Sequence, residues 1–197
     1  MPAMLSLDTL RGIPLLHGLN ESELRQIADV LQLRDFAPGQ DVIRQGDQSR
    51  DLWIVLEGQC EVVRRLKPDV RQPPALPGVL VEPGENHQPA ESLVLAVLEP
   101  FSHFGEMSFF HPAPHSADVR AHGPLKLIQI AHSDYADMIQ EGIWAAYKLA
   151  YNVVQQLAER LRRMDQWVAD LANNPQAAAN VPEFSRFRNK LFDGWSL

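Results

Sequence analysis

The sequence predicts a mostly β protein with flanking α: a double-stranded β-helix, or jelly-roll, barrel followed by a long C-terminal helix. One observation is a series of short segments rich in Val, Ile and Leu, separated by glycine, proline or acidic residues, which is typical of antiparallel β folds. Another is a heptad repeat near the C-terminus. The chain has 197 residues, 45% of them hydrophobic, which suits one folded domain with an appendage.

Composition excludes several classes of protein. The net charge is -7, the wrong sign for a chain that covers nucleic acid or an anionic membrane with much of its surface. The single cysteine, Cys60, excludes an internal disulfide and favours a reducing compartment. We find neither a signal-peptide pattern nor an apolar run of about 18 residues. We therefore expect a cytoplasmic protein without a membrane span.

The first predicted element is a short amphipathic helix over residues 20–31. Asn20 stands three residues before Glu23, which is the spacing of a capping box. Apolar residues recur on one helical face after it: Leu24, Ile27, Ala28 and Leu31.

Seven short segments then predict antiparallel strands, because the intervals between them are too short for crossover helices. They are LQLRDF, DVIR, DLWIVLEG, QCEVVRRL, SLVLAVLEP, ADVRA and LKLIQIA. Residues 67–92 interrupt the series with six of the fifteen prolines, which disfavours a regular strand apart from a stub at 79–81. We expect an inserted surface loop here, with a lid as the alternative.

After Ser133, a candidate N-cap, the pattern turns helical. Apolar residues recur at alternating steps of four and three, which predicts the seam of a coiled coil and hence a homodimer through the long helix. The alternative is one long helix lying on the barrel. The seam residues are Ile143, Tyr147, Ala150, Val154, Leu157, Leu161, Met164, Val168 and Leu171.

The predicted division of the chain is therefore a β-roll at 1–142, a dimerisation helix at 143–172 and a linker with an apolar tail at 173–197. The tail segment VPEFSRFRNKLFDGWSL predicts a helix with one apolar face and basic residues beside it. The apolar residues are Phe184, Phe187, Leu191 and Phe192, and the basic ones are Arg186, Arg188 and Lys190. We expect this tail to dock on its own protein, with a partner protein or a membrane surface as the alternatives.

The segment FAPGQDVIRQGDQSRDLWIVLEGQCEV at 36–62 resembles the cyclic-nucleotide-binding domain family, which includes the catabolite activator protein and protein kinase A regulatory subunits. Gly39, Gly46 and Gly58 occupy the turn positions of this family. Downstream, FGEMSFFHPAPHSADVRA at 104–121 stands where the family carries its phosphate-binding cassette. The resemblance implies a regulatory, ligand-sensing domain without enzymatic activity, with a cyclic nucleotide such as cAMP or cGMP as its ligand.

The resemblance also implies roles for cassette residues. Glu106 matches the glutamate that binds the ribose 2'-hydroxyl, and the backbone of Gly105, Met107 and Ser108 matches the start of the short helix that faces the anion. At the position of the phosphate-binding arginine the chain has His115, followed by Ser116.

This departure predicts weakened or altered nucleotide binding. Arginine gives a phosphate a permanent charge and two donors, whereas neutral histidine gives one donor. Losing about 1.5 to 3 kcal/mol would weaken binding roughly 10- to 150-fold. His115 and Ser116 remain the candidate phosphate contacts. Strand alternation predicts that Asp118 lies on the same face as Ser116, and Asp118 would repel a phosphate if that face lines the pocket.

A second departure is Phe101, which stands where the family commonly has a glycine. We expect a reshaped loop there.

Two other functions stay open. One is a dimerisation or docking module that keeps the fold and binds no nucleotide. The other is a metalloenzyme of the cupin kind, using residues within thirteen positions of one another: His103, Glu106, His111 and His115. Two prolines between the last two histidines disfavour a regular strand, so we expect no metal, no catalytic residue and solvated histidines. Only 24 residues follow Asn173, too few for a helix-turn-helix, so we expect no DNA binding from this chain alone.

Overall fold

The computed structural model describes residues 5–65 and 92–173. The chain divides into two units, Met1–Leu149 and Ala150–Leu197. The predicted insertion at 67–92, with its stub at 79–81, lies outside the described residues except for Ser92. The predicted tail at 173–197 lies outside them except for Asn173.

Two short helices precede the strands: α1 at Leu7–Arg11 and α2 at Glu21–Ala28, with a 3-10 turn at Pro14–Leu16 between them. The capping box is confirmed, because the Glu23 amide donates to Asn20 Oδ1 at 3.0 Å and the Asn20 amide donates to Glu23 Oε2 at 2.7 Å. The helical assignment of Leu31 is wrong. Leu31 begins the first strand, where it pairs with Ile130.

The described residues form eight strands in two antiparallel sheets. One sheet has the order β1-β8-β3-β6 and the other the order β2-β7-β4-β5. All seven predicted strands are present; the two-residue β6 was missed. The bounds are β1 Leu31–Phe36, β2 Asp41–Ile43, β3 Leu52–Glu57, β4 Cys60–Arg65, β5 Ser92–Leu98, β6 His103–Phe104, β7 Asp118–Ala121 and β8 Leu125–Ile130. This arrangement confirms the predicted jelly-roll class.

The core between the sheets is centred on Trp53 of β3. Its ring stacks on that of Phe104 in β6, with centroids 6.4 Å apart and planes 10° apart. Val55, Val119 and Leu127 from both sheets are buried in the same cluster. Each large apolar side chain contributes about 1.5 to 3 kcal/mol when buried, so this cluster anchors the turn that follows Phe104.

Two helices follow β8: α4 at His132–Gln140 and α5 at Trp144–Asn173. The predicted cap at Ser133 is wrong. Ala131 is the N-cap residue, and Ser133 lies in the first turn, where its hydroxyl donates to Asp134 at 3.3 Å. Helix α5 runs without a break through the heptad region, which confirms the predicted long C-terminal helix. No helix in 5–65 or 92–173 is long and apolar enough to cross a membrane.

Candidate functional site

Gly105 shapes the entrance to the cassette. It is the N-cap residue of α3 (Glu106–Phe110) and has a φ of 86°, in the left-handed region that favours glycine. A Cβ here would clash with the carbonyl oxygen of Asp51 and lie 3.4 Å from Trp53 Cδ1. The turn therefore needs glycine for its backbone angle and for the close approach of the chain before β3. Gly39, Gly46 and Gly58 also have positive φ.

The predicted cassette residues on helix α3 lie in two different environments. Glu106 and Ser108 are buried, with 5% and 3% of their surface exposed, whereas Met107 is 67% exposed. The carboxyl group predicted to bind a ribose thus belongs to the interior side of the helix. The side chain of Met107 lies on the solvent side of the helix.

His115 is buried between two hydroxyl groups. Its Nε2 lies 3.0 Å from Ser49 Oγ, and its Nδ1 lies 3.4 Å from Ser108 Oγ. Its backbone is held as well, because its amide donates to Asp47 O and its carbonyl accepts from the Gly46 amide, both at 2.9 Å. Hydroxyl groups donate or accept, so either neutral tautomer of the imidazole satisfies these contacts.

The expectation of solvated histidines is wrong for two of them. His115 is 8% exposed, and His103, in β6, is 1% exposed and pairs with Ile54 of β3. Their places in the sheet and in the cassette bury the rings. His111, at the end of α3, is exposed.

Ser116 and Asp118 do not share a strand face. Strand β7 begins only at Asp118, so strand alternation does not extend back to Ser116, which is exposed. Asp118 is buried, and its Oδ1 accepts hydrogen bonds from Arg65 Nη2 and from the Gln45 amide, both at 2.8 Å. Arg65 therefore compensates the carboxylate charge that the sequence predicted to repel a phosphate.

Arg50 is a site residue that the sequence reasoning missed. Its Nε donates to Ser108 O at 3.2 Å and its Nη2 to Phe109 O at 3.0 Å, so it binds the last carbonyls of α3. Arg50 lies, like Ser49, in the polar run GDQSR between β2 and β3. That polar run predicts a loop, but its sequence does not predict that the loop contacts α3.

Phe101 lies in a tight turn, and the expected reshaping of this loop relative to the family stays a prediction. The chain makes a turn in which the Ser102 amide donates to Glu99 O at 3.0 Å, and Phe101 has a φ of 69°. This is the glycine-type conformation of the third residue in a type II turn. A phenylalanine thus occupies a glycine backbone geometry, at a cost of about 1 to 2 kcal/mol.

A different surface groove, of about 450 Å³, lies between the end of α2 and α4. Four of its lining residues are carboxylates: Asp29, Asp134, Asp137 and Glu141. None of the predicted site residues lines it, and its charge disfavours an anion. Within 5–65 and 92–173, no group of three or more His, Cys, Asp or Glu side chains is arranged to hold a metal ion.

Comparison with known proteins gives matches in sequence and in fold. Residues 83–142 match the sequence model of the cyclic nucleotide-binding domain. The cAMP-dependent protein kinase regulatory subunit of Blastocladiella emersonii is 28% identical over 130 residues, which are 66% of this chain and 27% of that protein.

Two solved structures have the same fold. The catabolite activator protein of Thermus thermophilus is 26% identical, with a TM-score of 0.62 over 81% of this chain and 63% of that one. The regulatory subunit of a cAMP-independent protein kinase A from Trypanosoma cruzi, bound to guanosine, is 21% identical, with a TM-score of 0.56 over 96% of this chain and 50% of that one. This chain thus spans between 27% and 63% of the lengths of these three proteins.

The β-roll, the matched sequence model and these relatives agree on the kind of domain that the chain resembles. The chain is similar to cyclic-nucleotide-binding domains, and the resemblance predicted from residues 36–62 and 104–121 is confirmed.

Proposed function

We propose that this chain is a cytoplasmic, non-enzymatic, ligand-sensing domain that binds the cyclic phosphate of cAMP or cGMP only weakly. The observation that carries the proposal is the position of His115, between Ser49 and Ser108. This residue stands where the resemblance puts an arginine. The phosphate end of the site therefore offers polar groups without a fixed positive charge.

The neighbouring arginines do not replace the missing charge. Arg65 is bound to Asp118, and Arg50 is bound to the carbonyl groups of Ser108 and Phe109. To reach a ligand, Arg65 would have to leave the buried Asp118 carboxylate without its cation, and Arg50 would have to give up its hydrogen bonds to the carbonyl groups of α3. Either loss costs about 1 to 3 kcal/mol. An anionic ligand thus gains little from either guanidinium.

The ribose end of the site keeps the inherited residues. We assign the 2'-hydroxyl to Glu106, which is buried at the first position of α3, and the surrounding amides to Gly105, Met107 and Ser108. Ser116 is exposed and is the weaker of the two proposed phosphate contacts.

An uncharged nucleoside is a second candidate ligand. It needs the ribose contact but no arginine, and the hydroxyl and imidazole groups around His115 match a neutral hydroxyl. A protein of the same fold is bound to guanosine, so the fold accommodates such a molecule.

We propose that α5 forms a homodimer seam. Val154, Leu161 and Met164 are 61%, 44% and 41% exposed, and they recur at heptad spacing along one helix. An apolar stripe of this kind is covered in most soluble proteins, and a second copy of the helix covers it symmetrically. The division at 142 and 172, and docking of the 173–197 tail on the protein body or on a partner, remain part of this proposal.

The test of ligand binding is the melting temperature of the purified chain with cAMP, cGMP, cyclic dinucleotides, adenosine and guanosine. A ligand that binds the folded form raises stability by RT ln(1 + [L]/Kd). We expect shifts at millimolar concentration, and Glu106→Gln should abolish them for every ribose ligand. His122→Gln, at an exposed loop position, is the matched control.

No shift with any ligand at millimolar concentration would favour the docking module over the sensor. A shift with zinc or iron would favour the metalloenzyme instead.

A further inference from the structure

The guanidinium of Arg50 joins three parts of the first unit. It projects from the β2–β3 loop, binds the Ser108 and Phe109 carbonyls at the end of α3, and places Nη2 2.7 Å from Nε2 of His132. His132 is the first residue of α4. A single side chain thus ties the cassette helix to the start of the helix that leads toward α5.

The contact between Arg50 and His132 requires a neutral imidazole. A guanidinium has only donors, so Nε2 must accept the hydrogen bond through its lone pair. A proton on Nε2 would remove this acceptor and place two cations in contact. His132 also lies in the first turn of α4, and the N-terminal end of a helix disfavours a cation, so the helix too disfavours protonation of the imidazole.

The surroundings of His132 contain charges of both signs. Burial and the Arg50 cation lower the pKa of His132 from 6.5, while the Asp51 carboxylate acts in the opposite direction. The Phe109 ring of α3 packs edge-on against the imidazole, with centroids 5.4 Å apart. On α4 itself, Asp134 accepts from Ser133, and burial raises the pKa of Tyr135, so this phenol stays neutral between pH 5 and 8.

We propose that Arg50 and His132 form a proton-controlled latch, which holds α3 against α4 while the imidazole is neutral and releases α3 when the imidazole takes up a proton. The latch is a property of the folded chain and operates with or without a ligand. Its success or failure is therefore independent of the proposed nucleotide sensing.

The sign of the pH effect follows from the direction of the pKa shift. Because the folded-state pKa of His132 lies below the ordinary 6.5, the unfolded chain binds more protons at mildly acidic pH. The stability that the latch contributes is complete above about pH 6.5 and is lost as the pH falls toward the folded-state pKa.

Two measurements test the latch in the intact chain. NMR of the His132 ring gives its titration midpoint, and hydrogen exchange gives the protection of α3, through the Phe109 and His111 amides, which donate to Gly105 O and Met107 O at 3.0 Å. We expect a midpoint below 6.5. We also expect protection, corrected for intrinsic exchange rates, to fall about tenfold between pH 7.5 and pH 5, as for loss of one charge-assisted hydrogen bond.

Variants separate the latch from simple packing. Arg50→Met keeps the length of the side chain and should raise the His132 midpoint while lowering α3 protection at both pH values. His132→Gln keeps an acceptor that cannot be protonated, so protection should become independent of pH. His111→Gln, at an exposed histidine next to α3, should leave the pH dependence intact.

Three results would overturn the latch: a wild-type His132 midpoint at or above 6.5, no movement of that midpoint in Arg50→Met, or a pH dependence that survives in His132→Gln. Far-ultraviolet circular dichroism establishes that each variant folds. If Arg50→Met does not fold, the comparison between wild type and His132→Gln decides the matter.

Discussion

His115 Nε2 lies 3.0 Å from Ser49 Oγ, across 66 positions of sequence. The contact joins the segment 104–121 to the loop before β3. It also gives the His115 imidazole, at the expected phosphate position, a hydrogen-bond partner within the protein. In the proposed site, a ligand phosphate would therefore compete with Ser49 for the imidazole. This competition adds to the absence of a permanent charge.

His115→Arg should tighten binding of a cyclic nucleotide by roughly tenfold or more, because it restores a charged, two-donor partner for the phosphate. The carboxylate of Asp118 should not oppose this gain, since Arg65 compensates it. Calorimetry measures the affinity. His111→Arg is the matched control, because it adds the same charge at an exposed position of the cassette and should change affinity little.

If His115→Arg folds and binds no nucleotide, and if adding Asp118→Ala changes nothing, the site has been lost for reasons beyond this residue. The docking module is then the better description.

Arg65→Met should destabilise the fold by about 1 to 3 kcal/mol, because it leaves the buried Asp118 carboxylate with the Gln45 amide but without its cation. The expected destabilisation is smaller than that for breaking a fully buried ion pair, since the Arg65 side chain is 52% exposed. Urea unfolding measures the loss. Arg65→Met with Asp118→Asn should recover part of it, and strictly additive effects of the two changes would contradict a direct interaction.

Phe101→Gly should be more stable than Phe101→Ala by about 1 kcal/mol, because both variants lose the ring and only alanine keeps a Cβ in the left-handed conformation. This order of stability is the reverse of that in the middle of a helix or strand, where alanine is more stabilising than glycine. Thermal unfolding of the two variants measures the difference. An alanine variant as stable as the glycine variant would show that the turn relaxes to a negative φ.

Leu161→Asp should convert the proposed dimer to a monomer, because it places two carboxylates in an apolar interface at a cost of several kcal/mol. Light scattering gives the mass. Arg162→Asp is the neighbouring control, since Arg162 is 79% exposed and lies outside the heptad positions. A Leu161→Asp protein that keeps the dimer mass would remove α5 as the dimer interface.

Glu23→Gln should flatten the loss of stability in acid. The hydrogen bond from Lys148, followed by that from the Asn20 amide, lowers the pKa of Glu23 below 4.5. The interaction is therefore complete above about pH 4.5 and is lost as the pH falls through the folded-state pKa. We expect the variant to be about 1 kcal/mol less stable at pH 7, with a shallower decline from pH 5 to pH 3. Glu21→Gln, at an exposed position in the same first turn, should keep the wild-type decline.

The regular elements were predictable because their signals are local. The capping box at Asn20 and Glu23 involves residues three positions apart, and the strands are recognisable from short apolar runs between turn residues. Strand β6 was missed because a pair such as His103 and Phe104 has no periodicity. The prediction of Ser133 as the N-cap was wrong because the sequence does not distinguish a serine at the cap from a serine in the first turn of the helix.

The candidate site was predictable only in part, since the family resemblance identifies positions and not their contacts. The chemistry of a histidine in place of an arginine, at residue 115, follows from the sequence alone. Its two hydroxyl partners do not, because Ser49 approaches from another loop. In the same way, the sequence shows Asp118 as a negative charge that would repel a phosphate. The structure shows that Arg65 pairs with this carboxylate and compensates its charge.

The sequence by itself thus determined the jelly-roll class and the long C-terminal helix, because local periodicity and residue type decide these properties. Together with the family resemblance, it also placed a histidine where a phosphate-binding arginine is expected. Only the tertiary structure decided which polar groups are already engaged. Ser49 with His115, Arg65 with Asp118, and Arg50 with His132 are each more than 50 positions apart. Such pairs form only when the fold brings distant parts of the chain together, and these contacts then set the charge that a ligand or a proton meets.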